Sequence, residues 1–140
     1  MQMIEAITGL LVGALAIAMA KLAKGERWMY SLSLIALPSL YCVFAFYAGE
    51  QTVALKELIV GVPFFLAGIL CAFLKLSKSS GIVAALWILH GAYDLTHPLL
   101  FANPGAPLWY PVFCASVDFV IGFYLLWLFG RLKRSQLHTT

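Results

Sequence analysis

The sequence predicts an all-α integral membrane bundle of five transmembrane helices, and three observations carry that expectation. Of the 140 residues, 63% are hydrophobic and only 11% are charged, against about 25% charged in a soluble domain. The apolar residues gather in five stretches, 4–22, 28–48, 57–76, 82–100 and 108–129. Each is close to the ~20 residues that a helix needs to cross a hydrocarbon core about 30 Å thick. The stretches are continuously apolar, without the alternation of a membrane strand, which favours helices over a barrel. Almost nothing is left for a soluble region, so residues 1–140 read as a single transmembrane domain.

The first stretch carries Ala18-Met19-Ala20, which has the look of a signal-peptide cleavage site. The basic residues follow it (Lys21, Lys24, Arg27) and Glu5 precedes it, the reverse of a signal sequence, so the expectation is a retained first helix. Gly9 and Gly13 form a GxxxG pair, suited to close helix packing or to dimerisation. Pro38 and Pro63 fall inside the second and third stretches, where each removes a backbone donor and is expected to bend its helix. Glu57 is expected to open the third helix, where a carboxylate favours the positive end of the helix dipole.

Eight of the nine basic residues lie after stretch 1, after stretch 3 or in the tail, and only Lys56 lies elsewhere. With five spans those three segments share a face. The positive-inside rule then sets the N-terminus outside and the C-terminus in the cytoplasm. The net charge of +3 becomes a cytoplasmic basic rim for anionic headgroups, with no call for nucleic acid. Trp28, Tyr30 and Trp127 are expected at the inner interface, and Tyr47, Trp109 and Tyr110 at the outer one.

The fourth stretch holds the chemistry. His90, Asp94 and His97 are four and three residues apart, so a helix points all three side chains one way. Ionisable residues inside a span are costly and mark functional sites. On the expected orientation His97 is near the outer surface and His90 about 10 Å deeper; Asp118, on the fifth stretch, is roughly 14 Å down. Together with Glu57 they suggest an outward-opening polar pocket. Histidine and carboxylate donors suit a divalent metal, zinc, iron or manganese. His90 and His97 are too far apart along the axis to share one ion without distortion. His90 with Asp94, or Asp94 with His97, is the better pair, completed by Asp118 and Glu57. The competing explanation is polar glue, in which such groups only bond across to a neighbouring helix.

Tyr110, Cys114 and Asp118 share a face of the fifth helix. Tyr110 is a candidate hydrogen-bond donor to a substrate, with interfacial anchoring as the alternative. Cys42, Cys71 and Cys114 form no CxxC pair, which argues against dithiol chemistry, and read as apolar filler. There is no nucleotide-binding glycine loop, no nucleophile elbow and no haem-attachment motif. The uncharged, proline-rich loop 101–111 is expected above the pocket, as a lid or as an ordinary turn.

Tyr41 to Gly49, Glu57 with Gly61, His90 with Asp94, and Trp109-Tyr110-Pro111 followed by Cys114 and Asp118 carry a resemblance across most of the chain. It resembles a small family of bacterial integral membrane proteins known only as a domain of unknown function. The resemblance implies the five-helix bundle and a bacterial inner membrane, and brings no activity with it.

Three functions remain open at this point. The first is a membrane-embedded enzyme on a lipidic or small apolar substrate, a metal-assisted hydrolase or an acid–base isomerase, with catalytic residues among His90, Asp94, Asp118 and Tyr110 and metal ligands among His90, Asp94, His97, Asp118 and Glu57. The second is a small transporter or proton-relay protein, which at this size would have to form a homo-oligomer. The third is a structural subunit of a membrane complex.

Overall fold

The computed structural model describes residues 2–26, 28–74 and 76–137, with the side chains of 76–78 and 136–137 left aside. Five helices follow one another: α1 (Gln2–Leu22), α2 (Met29–Tyr47), α3 (Gln51–Ala72), α4 (Leu76–Leu100) and α5 (Tyr110–Leu137). Among the described residues there is no strand. Helices α1, α2, α3 and α5 are long and apolar enough to cross a membrane. In α4 the residues His90, Asp94 and His97 lower the hydropathy, and all three are buried. Large apolar side chains cover the outside instead, among them Leu11, Leu15, Leu58, Leu66, Leu89 and Phe123.

Lipid tails are as apolar as leucine, so such helices associate through close packing and internal polar contacts. The chain places glycines at the contacts that need them. A Cβ on Gly9 would collide with the Phe113 carbonyl and the Ser116 side chain, and one on Gly13 would sit 3.1 Å from Val120 Cβ. The GxxxG pair therefore seats α1 on α5 within one chain. Gly61 meets Pro38 where α3 crosses α2, at 2.7 Å from a built Cβ to Pro38 Cβ. Gly122 meets Ile88 where α5 lies on α4, again at 2.7 Å. Pairs α2–α3 and α4–α5 run along each other, and α1 covers α5, while α3 and α2 touch α4 more sparingly. The site described below occupies that sparse junction.

Several boundaries differ from the expectation. Helix α3 begins at Gln51, so Glu57 lies well inside it, buried, and not at the dipole end. Tyr30, expected at an interface, is buried within the bundle against Tyr124. Tyr110 is likewise buried, packed edge-on against Tyr41 and Phe44, whereas Trp28, Tyr47, Trp109 and Trp127 are exposed. One oxygen of Glu5 is buried without a hydrogen-bond partner, while Glu50 is exposed. Both Pro38 and Pro63 sit inside continuous helices. Of the basic residues behind the orientation argument, Arg27 and Lys75 lie outside the described residues, as does the Lys78 side chain.

The core divides by depth. Towards one end Tyr30, Leu34, Val83, Ala84, Trp87, Ile121 and Leu125 form an apolar cluster, tied across by the Trp87 indole donating to the Tyr30 carbonyl at 3.1 Å. Towards the other, Tyr41, Tyr110 and Cys114 pack with Phe44 and Tyr93 around a polar interior.

Candidate functional site

Two polar assemblies lie side by side towards the end of the bundle that carries the α4–α5 loop. The first joins α4 to α5. Because α4 turns once in 3.6 residues, His90 and Asp94 stand one above the other on the face that meets α5, and Gly91 lets α5 approach to 3.0 Å between a built Cβ and Asp118 Cβ. His90 Nδ1 donates to Asp118 Oδ2 at 2.7 Å and stands 3.5 Å from Asp94 Oδ2. Cys114, one turn before Asp118, completes a group whose four ligand atoms all lie within 4.8 Å of one another. All four residues are buried, and the group could hold a metal ion. Ligand atoms around a tetrahedral ion bound at 2.0–2.3 Å stand about 3.3–3.8 Å apart, so the existing spacing needs only a small contraction on one side and the opening of one hydrogen bond on the other.

What distinguishes this group is how little of it is satisfied. Both carboxylate oxygens of Asp94, Oδ1 of Asp118, Nε2 of His90 and the Tyr41 hydroxyl are buried and make no hydrogen bond of good geometry, although His90 Nδ1 at 3.5 Å, the Tyr41 hydroxyl and the Cys114 thiol all lie beside the Asp94 carboxylate. Each such atom costs free energy on the order of 1–3 kcal/mol, which a packed helix bundle does not retain by accident. Cys114 Sγ donates weakly to the Tyr110 hydroxyl at 3.7 Å. Tyr110 thus positions the thiol, and its hydroxyl is turned to Cys114.

The second assembly joins α3, α4 and the α4–α5 loop, and it is fully bonded. Glu57 Oε1 accepts from His97 Nε2 at 2.7 Å and from Asn103 Nδ2 at 2.8 Å, and Oε2 accepts from the Tyr93 hydroxyl at 2.9 Å. The His97 ring stacks on Tyr41 with centroids 4.2 Å apart. Asn103 also donates to the Tyr41 carbonyl at 3.0 Å and accepts from the Gly105 amide at 3.2 Å, strapping the loop down on α2.

The expected site residues thus separate. His90, Asp94 and Asp118 come together as the spacing required, joined by Cys114. His97 and Glu57, expected as further ligands, bond to each other in the neighbouring assembly. Asn103, which the sequence reading passed over, is the residue that closes it. The three cysteines are free thiols, Cys42 half-buried and Cys71 and Cys114 buried.

A narrow crevice runs between α2, α3 and α4, lined by Tyr41, Glu57, Gly61, Phe64, His90 and Tyr93 among others, and it is too tight for a water-sized guest. His90 lines this crevice while its Nδ1 is turned to Asp118 on α5. The Phe64 ring meets the His90 ring edge-on, 5.2 Å between centroids. Outside, the loop forms a mouth of about 230 Å³ with His97 among its lining residues.

The fold and site define an all-helical, membrane-like bundle with a buried His–Asp–Asp–Cys group able to hold a metal. No family model, curated protein or solved structure matches the chain.

Proposed function

We propose that the protein is a membrane-embedded enzyme that holds a divalent metal on His90, Asp94, Asp118 and Cys114 and acts on a lipidic or small apolar substrate in the outer half of the bilayer. The observation that carries this is the set of buried polar atoms without partners on those residues. Two carboxylates beside one imidazole in a low-dielectric interior call for a counter-charge, and a cation at their centre supplies it. The mixed N, O and S donor set suits zinc or iron better than manganese. A divalent ion there contributes Lewis-acid polarisation of a carbonyl. The chain would contribute the rest: on binding, the His90–Asp118 hydrogen bond would open so that Nδ1 and the Asp118 carboxylate both face the ion, leaving the Nε2–H of His90 as a hydrogen-bond donor to a substrate. The reaction types that fit are hydrolysis and acid–base isomerisation.

A second reading has its own support. The 2.7 Å His90–Asp118 bond alone makes an oriented imidazole base, so acid–base chemistry can run without a metal. Transport is less well supported. The apolar side chains of Leu34, Val83, Ala84, Trp87, Ile121 and Leu125 pack below His90, and the hydrophilic residues Ser31, Ser79, Ser80 and Glu26 gather only at the far end, around a space too tight for water.

Metal analysis of the detergent-purified protein tests the proposal. We expect about one zinc or iron per chain in the wild type, and less than about a tenth of that in Asp94→Asn and His90→Ala, since loss of one ligand from a four-ligand site removes several kcal/mol of binding. Metal-free wild type would leave the His90–Asp118 base as the working centre.

We further propose five spans, N-terminus outside and C-terminus in the cytoplasm, in a bacterial inner membrane. Helix α4 has 25 residues, about 37 Å at 1.5 Å per residue. His90, Asp94 and His97 are buried while Leu89, Leu95 and Leu99 are exposed, which suits a span in contact with lipid on one side only. In a Cys42→Ser background, a membrane-impermeant maleimide is expected to label Leu108→Cys in intact cells and Lys133→Cys only after lysis. The reverse pattern inverts the orientation, and labelling of both in intact cells removes the odd number of spans.

A further inference from the structure

A separate polar cluster stands at the opposite end of the bundle, where the α1–α2 loop meets the start of α4. Glu26 in that loop, Tyr30 and Ser31 on α2, and Ser79 and Ser80 on α4 line one narrow space. The three serines are each 1% exposed and Tyr30 is 4% exposed. The hydroxyls of Tyr30 and Ser80 are buried with no hydrogen-bond partner, and buried polar groups are seldom left so. Glu26 is half-buried, and its Oε1 accepts from the Tyr124 hydroxyl. Among the described residues no lysine or arginine forms an ion pair with it. Lys21 is placed over the Tyr124 ring instead, with Nζ 4.7 Å from the centroid. Helices α2 and α4 meet only sparingly, so these groups line a gap between elements and not a packed contact.

We propose that this cluster is a sodium site, in which the Glu26 carboxylate and the hydroxyl oxygens of Tyr30, Ser31, Ser79 and Ser80 surround the ion. A donor set made only of oxygen, with no imidazole or thiolate, suits a hard cation. Charge selects a monovalent one. A single carboxylate neutralises one positive charge, and a divalent ion would leave the other unbalanced in a low-dielectric surround. Size then selects sodium. The space is too tight for a water-sized guest, which excludes potassium, an ion as large as water, and magnesium, which keeps several of its waters. Sodium is smaller and draws oxygens closer than a hydrogen bond does. A hydroxyl has two lone pairs, so it can serve the ion whether or not it also donates a hydrogen bond. Seated between the α1–α2 loop, α2 and α4, the ion ties together segments that otherwise touch little.

Thermal unfolding of the detergent-purified protein in the chlorides of sodium, potassium and N-methylglucamine, at equal ionic strength, tests the site. Sodium is expected to raise the melting temperature by about 3–6 °C over the other two, and to do so saturably. Equilibrium dialysis with radioactive sodium should find about one ion per chain. Glu26→Gln and, separately, Ser80→Ala should lose the shift and weaken sodium binding by about tenfold or more. Ser80→Ala removes a hydroxyl that has no partner, so in potassium it should unfold no more easily than the wild type. Asp94→Asn, at the other end of the bundle, should keep the full sodium shift, which sets this site apart from the His90 group. Equal melting temperatures in the three salts, or a sodium shift that survives both Glu26→Gln and Ser80→Ala, overturns the site. An equal rise in potassium overturns the selection by size, and a rise with magnesium in place of sodium overturns the selection by charge.

Discussion

Glu57→Leu is expected to cost the bundle about 2–5 kcal/mol, because it strands three buried donors at once. The Nε2 of His97, the Tyr93 hydroxyl and Asn103 Nδ2 all end on the Glu57 carboxylate. The lower figure follows from the average of roughly 0.6 kcal/mol per hydrogen bond between helices in a membrane. The upper one follows from breaking a buried ion pair by removing one partner, at about 3–5 kcal/mol. Glu57→Gln keeps the carbonyl acceptor for His97 and Asn103, and the Tyr93 hydroxyl can turn to accept from the new amide, so its cost should stay near ~1 kcal/mol. Unfolding in mixed micelles measures both. The Leu variant should also release the loop, since Asn103 loses its acceptor on α3 and keeps only the Tyr41 carbonyl on α2, and protease nicking within 101–109 should rise. If Glu57→Leu unfolds no more easily than the lipid-facing Leu58→Ala, the network does not close the outer end and the aqueous route to the crevice is open.

Spacing made much of the site legible, and partner choice made the rest illegible. His90 and Asp94 are one turn apart, and the depth arithmetic brought Asp118 to their level from another helix; no knowledge of packing was needed for either. Cys114 lay in plain view on the Tyr110–Cys114–Asp118 stripe, but a lone cysteine in an apolar helix usually fills space, and only the approach of α4 at Gly91 makes it a donor. His97 and Glu57 were assigned to the same set because both are polar and near the outer end. That they bond to each other depends on α3 starting at Gln51, six residues earlier than the apolar run suggests, which carries Glu57 inward. The polar residues Gln51, Thr52 and Lys56 hid that first turn. Tyr30 and Tyr110 misled in the opposite sense. An aromatic at a span's end reads as an interfacial anchor, and it takes the neighbouring rings of Tyr124, or of Tyr41 and Phe44, to show that these two are core. Asn103 left a faint signal as the one amide side chain in an uncharged loop.

The sharpest division between a working centre and polar glue lies in the sign of a stability change. Asp94 is fully buried and makes no hydrogen bond of good geometry; the 3.5 Å approach of His90 Nδ1 and the neighbouring Tyr41 and Cys114 compensate its charge only in part. Glue would be bonded, so its removal would destabilise. Here the metal-free chain bears the burial of the group with little return, and isosteric Asp94→Asn replaces a carboxylate by an amide that can donate to the unpartnered Asp118 Oδ1. Metal-stripped Asp94→Asn is therefore expected to be more stable than metal-stripped wild type, by about 1–3 kcal/mol, as when buried charges are replaced by neutral groups of like volume. With metal present the order reverses. An ion at a thousand times its dissociation constant stabilises the wild type by about 4 kcal/mol and has no complete site in the variant. Unfolding curves of both proteins, each with chelator and with zinc, give the four values. A variant less stable than wild type in chelator, with zinc changing neither, would make Asp94 packing and leave the α4–α5 group without a guest.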